Sequence, residues 1–321
     1  MRNRSRGRAA LFSLLVIFSV DGRLAAAEPP ILDPAVPVPQ SPSPEPSTAA
    51  AVSAPTPIRS GSAFAIRLAV DLPVTLGVGA IALTTELIKG ELPGPYCGLT
   101  CDPQNINALD RTVVGNHSAA ARAASDVLLG ASIGLPVALD LIDVLVSHPP
   151  DGFRGYGQDM LVLAEVFAVN AGVNSLVKLA VSRPRPLVYD PDLQAVSAET
   201  RSEPDSALSF YSGHSSTTFS MATAYSYLFM QRHPGSRLIV PVWLFFEGLA
   251  ATTAVLRVEG GKHFWTDVIT GAVVGSAIGL LVPYLHRKAL PAGVPAFASH
   301  LRISATPMVS ADRAGLLLTL E

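Results

Sequence analysis

A succession of five to six long apolar segments constrains this chain more than any other feature. They run over roughly 63–88, 120–146, 158–182, 214–231, 237–257 and 266–286, and are rich in Ala, Gly, Leu and Val. Turn signals separate them: ELPGPYCG, SHPPDGFRGYG, SRPRP, RHPGS and VEGGK. Strands rarely exceed about ten residues, so segments of this length are expected to be helices. The expected fold is therefore all-α, a bundle of about six long apolar helices over residues 61–288. Hydrophobic residues make up 49% of the chain and charged residues 15%. That balance is more apolar than an ordinary soluble domain and points to a membrane-embedded or membrane-associated bundle. Residues 268–285 hold no charge over 18 positions, long enough to span a bilayer. The first segment carries Arg67 and Asp71, and the second Asp140 and Asp143. Charge in hydrocarbon is costly, so those two are expected to be helices of a water-surrounded or peripheral bundle.

Residues 1–27 read as a signal peptide. MRNRSRGR is basic, ALFSLLVIFSV is a short apolar run, and Ala25 and Ala27 fit an A-x-A cleavage site. The run is shorter than the ~20 residues a span needs. Residues 28–60 form a Pro/Ser/Ala-rich linker. In the tail, 289–321, two short runs flank ADRAG and suggest a β-hairpin. Export to an oxidising compartment makes a disulfide between Cys97 and Cys101 plausible. No second ligand pair accompanies them, so a zinc site is not expected. The formal charge of −2 shows no basic stripe and excludes a nucleic-acid binder.

Three clusters carry the chemistry. The first is Lys178-Leu-Ala-Val-Ser-Arg-Pro-Arg185-Pro186, where Pro184 and Pro186 stop an apolar helix and two cations flank its end. By itself this is also what a solvated, dipole-matched helix end looks like. The second is LSFYSGHSST, residues 208–217. Ser212 and Gly213 open the next helix, whose unpaired amides suit an anion. His214 adds a proton donor near neutrality. The bland alternative is a capping serine beside a satisfied histidine. The third is Arg257-Val-Glu-Gly-Gly-Lys-His263-Phe-Trp-Thr-Asp267. On a first helical turn, His263 and Asp267 share a face, and a carboxylate on one imidazole nitrogen leaves the other free to attack. A helix-start ion pair would look the same. Together the clusters make a seat for a tetrahedral dianion, because fixed cations and amides stabilise phosphoryl transfer. No carboxylate cluster suggests a metal, and no cofactor is expected.

K-x6-RP, then SGH, then R-x5-H-x3-D, in that order, resembles the type 2 phosphatidic acid phosphatase superfamily. That superfamily also includes bacterial class A acid phosphatases and vanadium haloperoxidases. The resemblance implies a metal-independent phosphatase working through a phosphohistidine. Lys178, Arg185, Ser212, Gly213 and Arg257 would bind phosphate, His214 would be the general acid, His263 the nucleophile, and Asp267 its orienting partner. The substrate would be a phosphorylated lipid or a small phosphomonoester. Two positions depart from the pattern. Tyr211 stands where Pro is usual and is expected at the pocket rim, and Leu256 stands where Ser is usual and removes a supporting hydrogen bond. A vanadium-dependent haloperoxidase and a non-catalytic phospholipid-binding envelope protein are the alternatives. The expected location is a bacterial cell envelope, with the active site on the periplasmic side.

Overall fold

The computed structural model describes residues 63–287 and two strands, 303–310 and 313–320. The expected signal peptide and linker lie outside the described residues. Eight α-helices follow one another among those residues: α1 (Leu68–Ile88), α2 (Ala108–Arg111), α3 (Ala119–Ser147), α4 (Gly152–Val181), α5 (Ala198–Ser202), α6 (Gly213–Arg232), α7 (Ile239–Glu259) and α8 (Trp265–His286). The six long ones coincide with the six apolar segments. In the tail, β1 (Ile303–Ser310) pairs antiparallel with β2 (Arg313–Leu320).

The helices start and stop where local chemistry allows. Ser118 caps α3 by accepting the Ala121 amide at 3.1 Å. Ser212 caps α6 by accepting the Ser215 amide at 3.3 Å. Lys178 lies in the last turn of α4, which ends at Ser182 in a left-handed conformation, ahead of Pro184 and Pro186. α4 begins at Gly152, several residues before its apolar pattern does. Gly155 reads as a turn signal but is helical, and a Cβ there would collide with the Asp151 carboxylate. Arg232 holds that carboxylate at 2.9 Å and the Gly155 carbonyl at 2.9 Å.

The burial pattern is inverted relative to a protein in water. Leu68, Leu76, Leu83 and Leu87 on α1 are exposed, as are Val127 and Val146 on α3, Leu244 on α7 and Leu285 on α8. At the centre, α6 buries Ser215, Ser216, Thr218, Ser220, Thr223 and Ser226. It packs against α8, α7, α4 and α3. Several of its hydroxyls, those of Ser216, Thr218 and Ser220, return to the helix backbone. Apolar outside with small polar residues inside is the arrangement of helices solvated by lipid. Five segments are long and apolar enough to cross a membrane: 68–91, 119–147, 152–189, 239–259 and 265–286.

The first two of these correct the expectation that α1 and α3 are water-surrounded. Their acidic groups do not face outward. Asp71 and Asp140 are buried, and Asp143 accepts from Ser147 at 2.8 Å and lies 3.2 Å from the His233 ring. A charge turned into the bundle does not burden a lipid-facing surface.

Glycine sets the closest helix contact. Gly271, Gly275 and Gly279 form one stripe of α8, and a Cβ on any of them would collide with the carbonyl of Ser212, Ser216 or Ser220 respectively. Small residues four apart thus bring two backbones together and place the start of α8 beside the start of α6. Ser212 N donates to the Asp267 carbonyl at 3.1 Å, and Ser215 Oγ donates to the Val268 carbonyl at 2.7 Å.

Candidate active site

The ends of α4, α6, α7 and α8 meet at one pole of the bundle. His263 lies just before α8, with Phe264 as N-cap and Asp267 in the first turn. Its side chain is almost fully buried. Nδ1 sits 2.9 Å from the Ser209 carbonyl, and a carbonyl can only accept, so Nδ1 carries the hydrogen. Nε2 is then the lone-pair nitrogen. Burial first, and then the charges of Arg185, Arg257 and Lys178, push the His263 pKa well below its ordinary value. The imidazole is neutral at physiological pH.

Asp267 does not hold His263 directly, as the i, i+4 spacing suggested. Its Oδ2 is 3.8 Å from Nδ1. It accepts instead from the Ser209 hydroxyl at 2.5 Å and from the Phe264 amide at 2.9 Å. Because His263 precedes the helix, its ring meets the 209 carbonyl, and Asp267 fixes the strand of chain that supplies that carbonyl. Arg183 completes the support. It donates to Asp267 Oδ1 at 2.6 Å and to Asp110 Oδ2 at 2.8 Å, and lies 4.2 Å over the Phe264 ring. Asp110 in turn accepts from the Thr266 hydroxyl at 2.6 Å.

The three cations are positioned by different neighbours. Arg185 donates through Nε to the Asp205 carbonyl at 2.8 Å and pairs with the Asp205 carboxylate at 2.9 Å. Burial opposes ionisation of Asp205, but Arg185, Lys89 and Lys178 together hold its pKa well below the carboxylate range. Arg257 reaches Ser125 Oγ at 3.2 Å and Asp126 Oδ1 at 3.3 Å on α3. Its buried Nε has no hydrogen-bond partner among the described residues. Lys178 approaches the start of α6, since a Cβ on Gly213 would stand 3.5 Å from its Nζ. His214 Nε2 lies 2.8 Å from Asp126 Oδ1. Burial and Arg257 pull the His214 pKa down to about 4, against the opposing charge of Asp126.

All eight motif residues therefore lie around one pole. Ser212 has its Oγ engaged as a cap acceptor and keeps its O–H to donate. The Gly260–Gly261 turn, with Gly261 at φ 65°, returns the chain from Arg257 to His263. A Cβ at Gly261 would collide with the Asn116 carbonyl. Loop 187–208 packs as a cap. Leu187, Val188 and Tyr189 are buried, and Arg201 stitches the loop by donating to the carbonyls of Asp190 at 2.8 Å and Asp192 at 2.7 Å. Cys97 and Cys101 are joined as a disulfide, and the Cys101 amide donates to the Val188 carbonyl at 2.9 Å. A cavity of about 230 Å³ opens between this loop and the 260–262 turn, lined by His117, Arg122 and Lys262 among others. A larger one, about 410 Å³, lies at the opposite pole against Asp140, Asp143 and Arg232, far from these groups.

Tyr211 is not at a rim. It is 2% exposed, and its carbonyl accepts from Asn174 Nδ2 at 2.9 Å. Ser209 and Ser212 on either side are also fully buried, so the whole turn runs inside the bundle. Leu256 is half-buried, and the support of Arg257 comes from α3 instead of from its own helix. Sequence reasoning missed Arg183, Ser209, Asp126, Asp205 and Asp110. Arg183 and Ser209 stood inside quoted motifs, and Asp205 lies just ahead of one. Asp126 and Asp110 carried no signal, since they reach the site from distant helices.

The sequence profile of the PAP2 superfamily matches residues 159–291, a stretch that contains all eight motif residues. A Drosophila melanogaster protein provisionally named a phosphatidate phosphatase is 39% identical over 93 residues, 28% of this chain and 24% of that protein. Phospholipid phosphatase 2 of Rattus norvegicus is 32% identical over 136 residues, 36% of this chain and 48% of that protein. The chain thus spans about a quarter to about half the length of these relatives. A transmembrane PAP2-type phosphatidylglycerolphosphate phosphatase from Bacillus subtilis has a solved structure that aligns with a TM-score of 0.40 and 18% identity, over 67% of this chain and 94% of that one.

Proposed function

We propose, from the match of residues 159–291 to the PAP2 superfamily profile, that this chain hydrolyses lipid phosphates through a phosphohistidine. One observation carries the reading. A neutral, buried His263 with its Nε2 lone pair unblocked stands in the field of Lys178, Arg185 and Arg257, beside the amides of the α6 N-terminus. A phosphoryl group held by those cations and amides would meet His263 Nε2 as nucleophile. The N–P bond forms as the bond to the leaving oxygen breaks. His214 in its imidazolium form, which a pKa of about 4 favours only at acidic pH, gives its proton to that oxygen. Water then attacks phosphorus, His214 takes back a proton, and inorganic phosphate leaves with His263 restored. Arg257 Nε, buried and unpaired, suits a phosphate oxygen. Lipid is favoured over a small phosphomonoester because the pole adjoins apolar helix exteriors, and the relatives are named for phospholipid substrates.

The site is proposed to face the exported side of a bacterial envelope membrane. The Ala65 amide donates to the His286 carbonyl, and Lys89 pairs with Asp205, so α1 starts at the far pole and ends at the site. Arg67, Arg154 and Arg237 are exposed at the far pole, which matches a cytoplasmic face. In this orientation the chain enters α1 from the cytoplasm.

The test is phosphate release from phosphatidate, undecaprenyl diphosphate and a soluble phosphomonoester by wild type and His263→Ala. The expected result is lipid phosphate turnover lost by at least about a thousandfold in the variant. Equal activity of the two proteins would remove the enzymatic reading, and bromide oxidation dependent on vanadate without phosphatase activity would replace it.

A further inference from the structure

Three ionisable side chains converge at the pole away from the candidate active site. Asp71 is in the first turn of α1, Glu165 is midway along α4, and His286 ends α8. Their exposures are 9%, 8% and 8%. His286 Nε2 lies 3.4 Å from Asp71 Oδ2 and 3.3 Å from Glu165 Oε2. All three ligand atoms fall within 4.8 Å of one another.

The proton arrangement is informative. His286 Nδ1 lies 2.9 Å from the Val282 carbonyl, one helical turn back. A carbonyl only accepts, so Nδ1 carries hydrogen, and Nε2 is the nitrogen turned towards the two carboxylates. Glu165 Oε2 is buried and makes no hydrogen bond. Asp71 Oδ2 also accepts the Arg67 amide at 2.6 Å, and two carboxylates facing one imidazole in a buried pocket need a proton or a cation between them. The separations indicate which kind. An imidazolium donating to a carboxylate draws in to about 2.7–2.9 Å. Ligands around a tetrahedral metal with bonds of about 2.0–2.1 Å stand about 3.3–3.4 Å apart, as the imidazole nitrogen does from each carboxylate oxygen. The Nδ1–H to carbonyl bond also matches the support that metal-binding histidines ordinarily have.

We propose that Asp71, Glu165 and His286 bind one divalent transition-metal cation of the zinc type. The site is structural. α8 runs about 30 Å from its start beside His263 to His286, so the cation has no part in phosphoryl transfer. It would join the beginning of α1 to α4 and to the end of α8, where the Ala65 amide already donates to the His286 carbonyl at 2.7 Å.

The experiment uses the full chain, purified in detergent without a histidine tag, stripped with EDTA and titrated with Zn²⁺ and Co²⁺. Wild type should retain about one equivalent of zinc after desalting, gain about 5 °C in Tm, and show the visible absorption of tetrahedral Co²⁺. Glu165→Gln and His286→Gln should lose all three. Wild type alone decides the matter if the variants fail to fold. No retained metal and an unmoved Tm would overturn the proposal in favour of an imidazolium–carboxylate cluster. Undiminished binding in both variants would overturn it by placing the metal elsewhere.

Discussion

Asp126 shows how one exposed carboxylate can tune a half-buried histidine. It touches both His214 and Arg257, and its charge raises a His214 pKa that burial and Arg257 depress to about 4. A general acid works only while protonated, so kcat/KM should fall as pH rises through that pKa. Asp126→Asn removes the raising charge. The alkaline limb of the kcat/KM profile should therefore move to lower pH, by about half to one unit given the exposure of the carboxylate. A pH–rate profile on free enzyme measures it, and an unmoved limb would show that His214 is not the acid. Arg183 is a positioning residue of a different kind. Arg183→Ala leaves Asp267 and Asp110 buried without their cation, which costs about 3–5 kcal/mol. Thermal unfolding should show that loss, and the surviving folded enzyme should lose kcat by about 100-fold with KM little changed, because the Ser209 carbonyl no longer holds the His263 ring. Of the residues described here, the proposed nucleophile and the cations were legible in the sequence by type and spacing. Ser209 was not, since it acts through its carbonyl, which every residue has.

At the scale of elements, the α6–α8 contact decides whether the clusters meet. Gly275→Val would force the two backbones apart at the Ser216 carbonyl. It should lower Tm sharply and abolish activity together. Gly275→Ala should cost about 1–3 kcal/mol as overpacking. Gly248 in α7 meets nothing within 4 Å of an added Cβ, so Gly248→Ala should be neutral or stabilising by up to about 1 kcal/mol. Thermal melts of the three variants in one detergent test the contrast. The glycines of 268–285 were visible as small residues that permit close packing, but their partner was not. α6 looked like one apolar segment among six. Only its surroundings show why it tolerates so many hydroxyls: protein encloses it on every side.

For the whole molecule, the six long helices alternate in direction, so the candidate site and the start of α1 lie on opposite faces of the membrane. Single cysteines at Gln194, by the site, and at Arg237, at the far pole, are both exposed. An impermeant maleimide should label Gln194→Cys in intact cells after outer-membrane permeabilisation, and Arg237→Cys only after lysis. The reverse pattern would invert the proposed orientation. The sequence by itself determined the number and approximate limits of the long helices, because hydrophobic segments and Gly/Pro breaks are local properties. It also singled out the eight candidate site residues, because their order and spacing are read directly along the chain. Tertiary structure alone decided which buried charges are compensated and by what. Asp71 with Glu165 and His286, Arg183 with Asp110, and Asp126 with His214 each join helices far apart in the chain. Such pairings depend on how helices rotate and slide against one another, and that is set by close-packed surfaces such as the α8 glycine stripe, not by spacing along the chain.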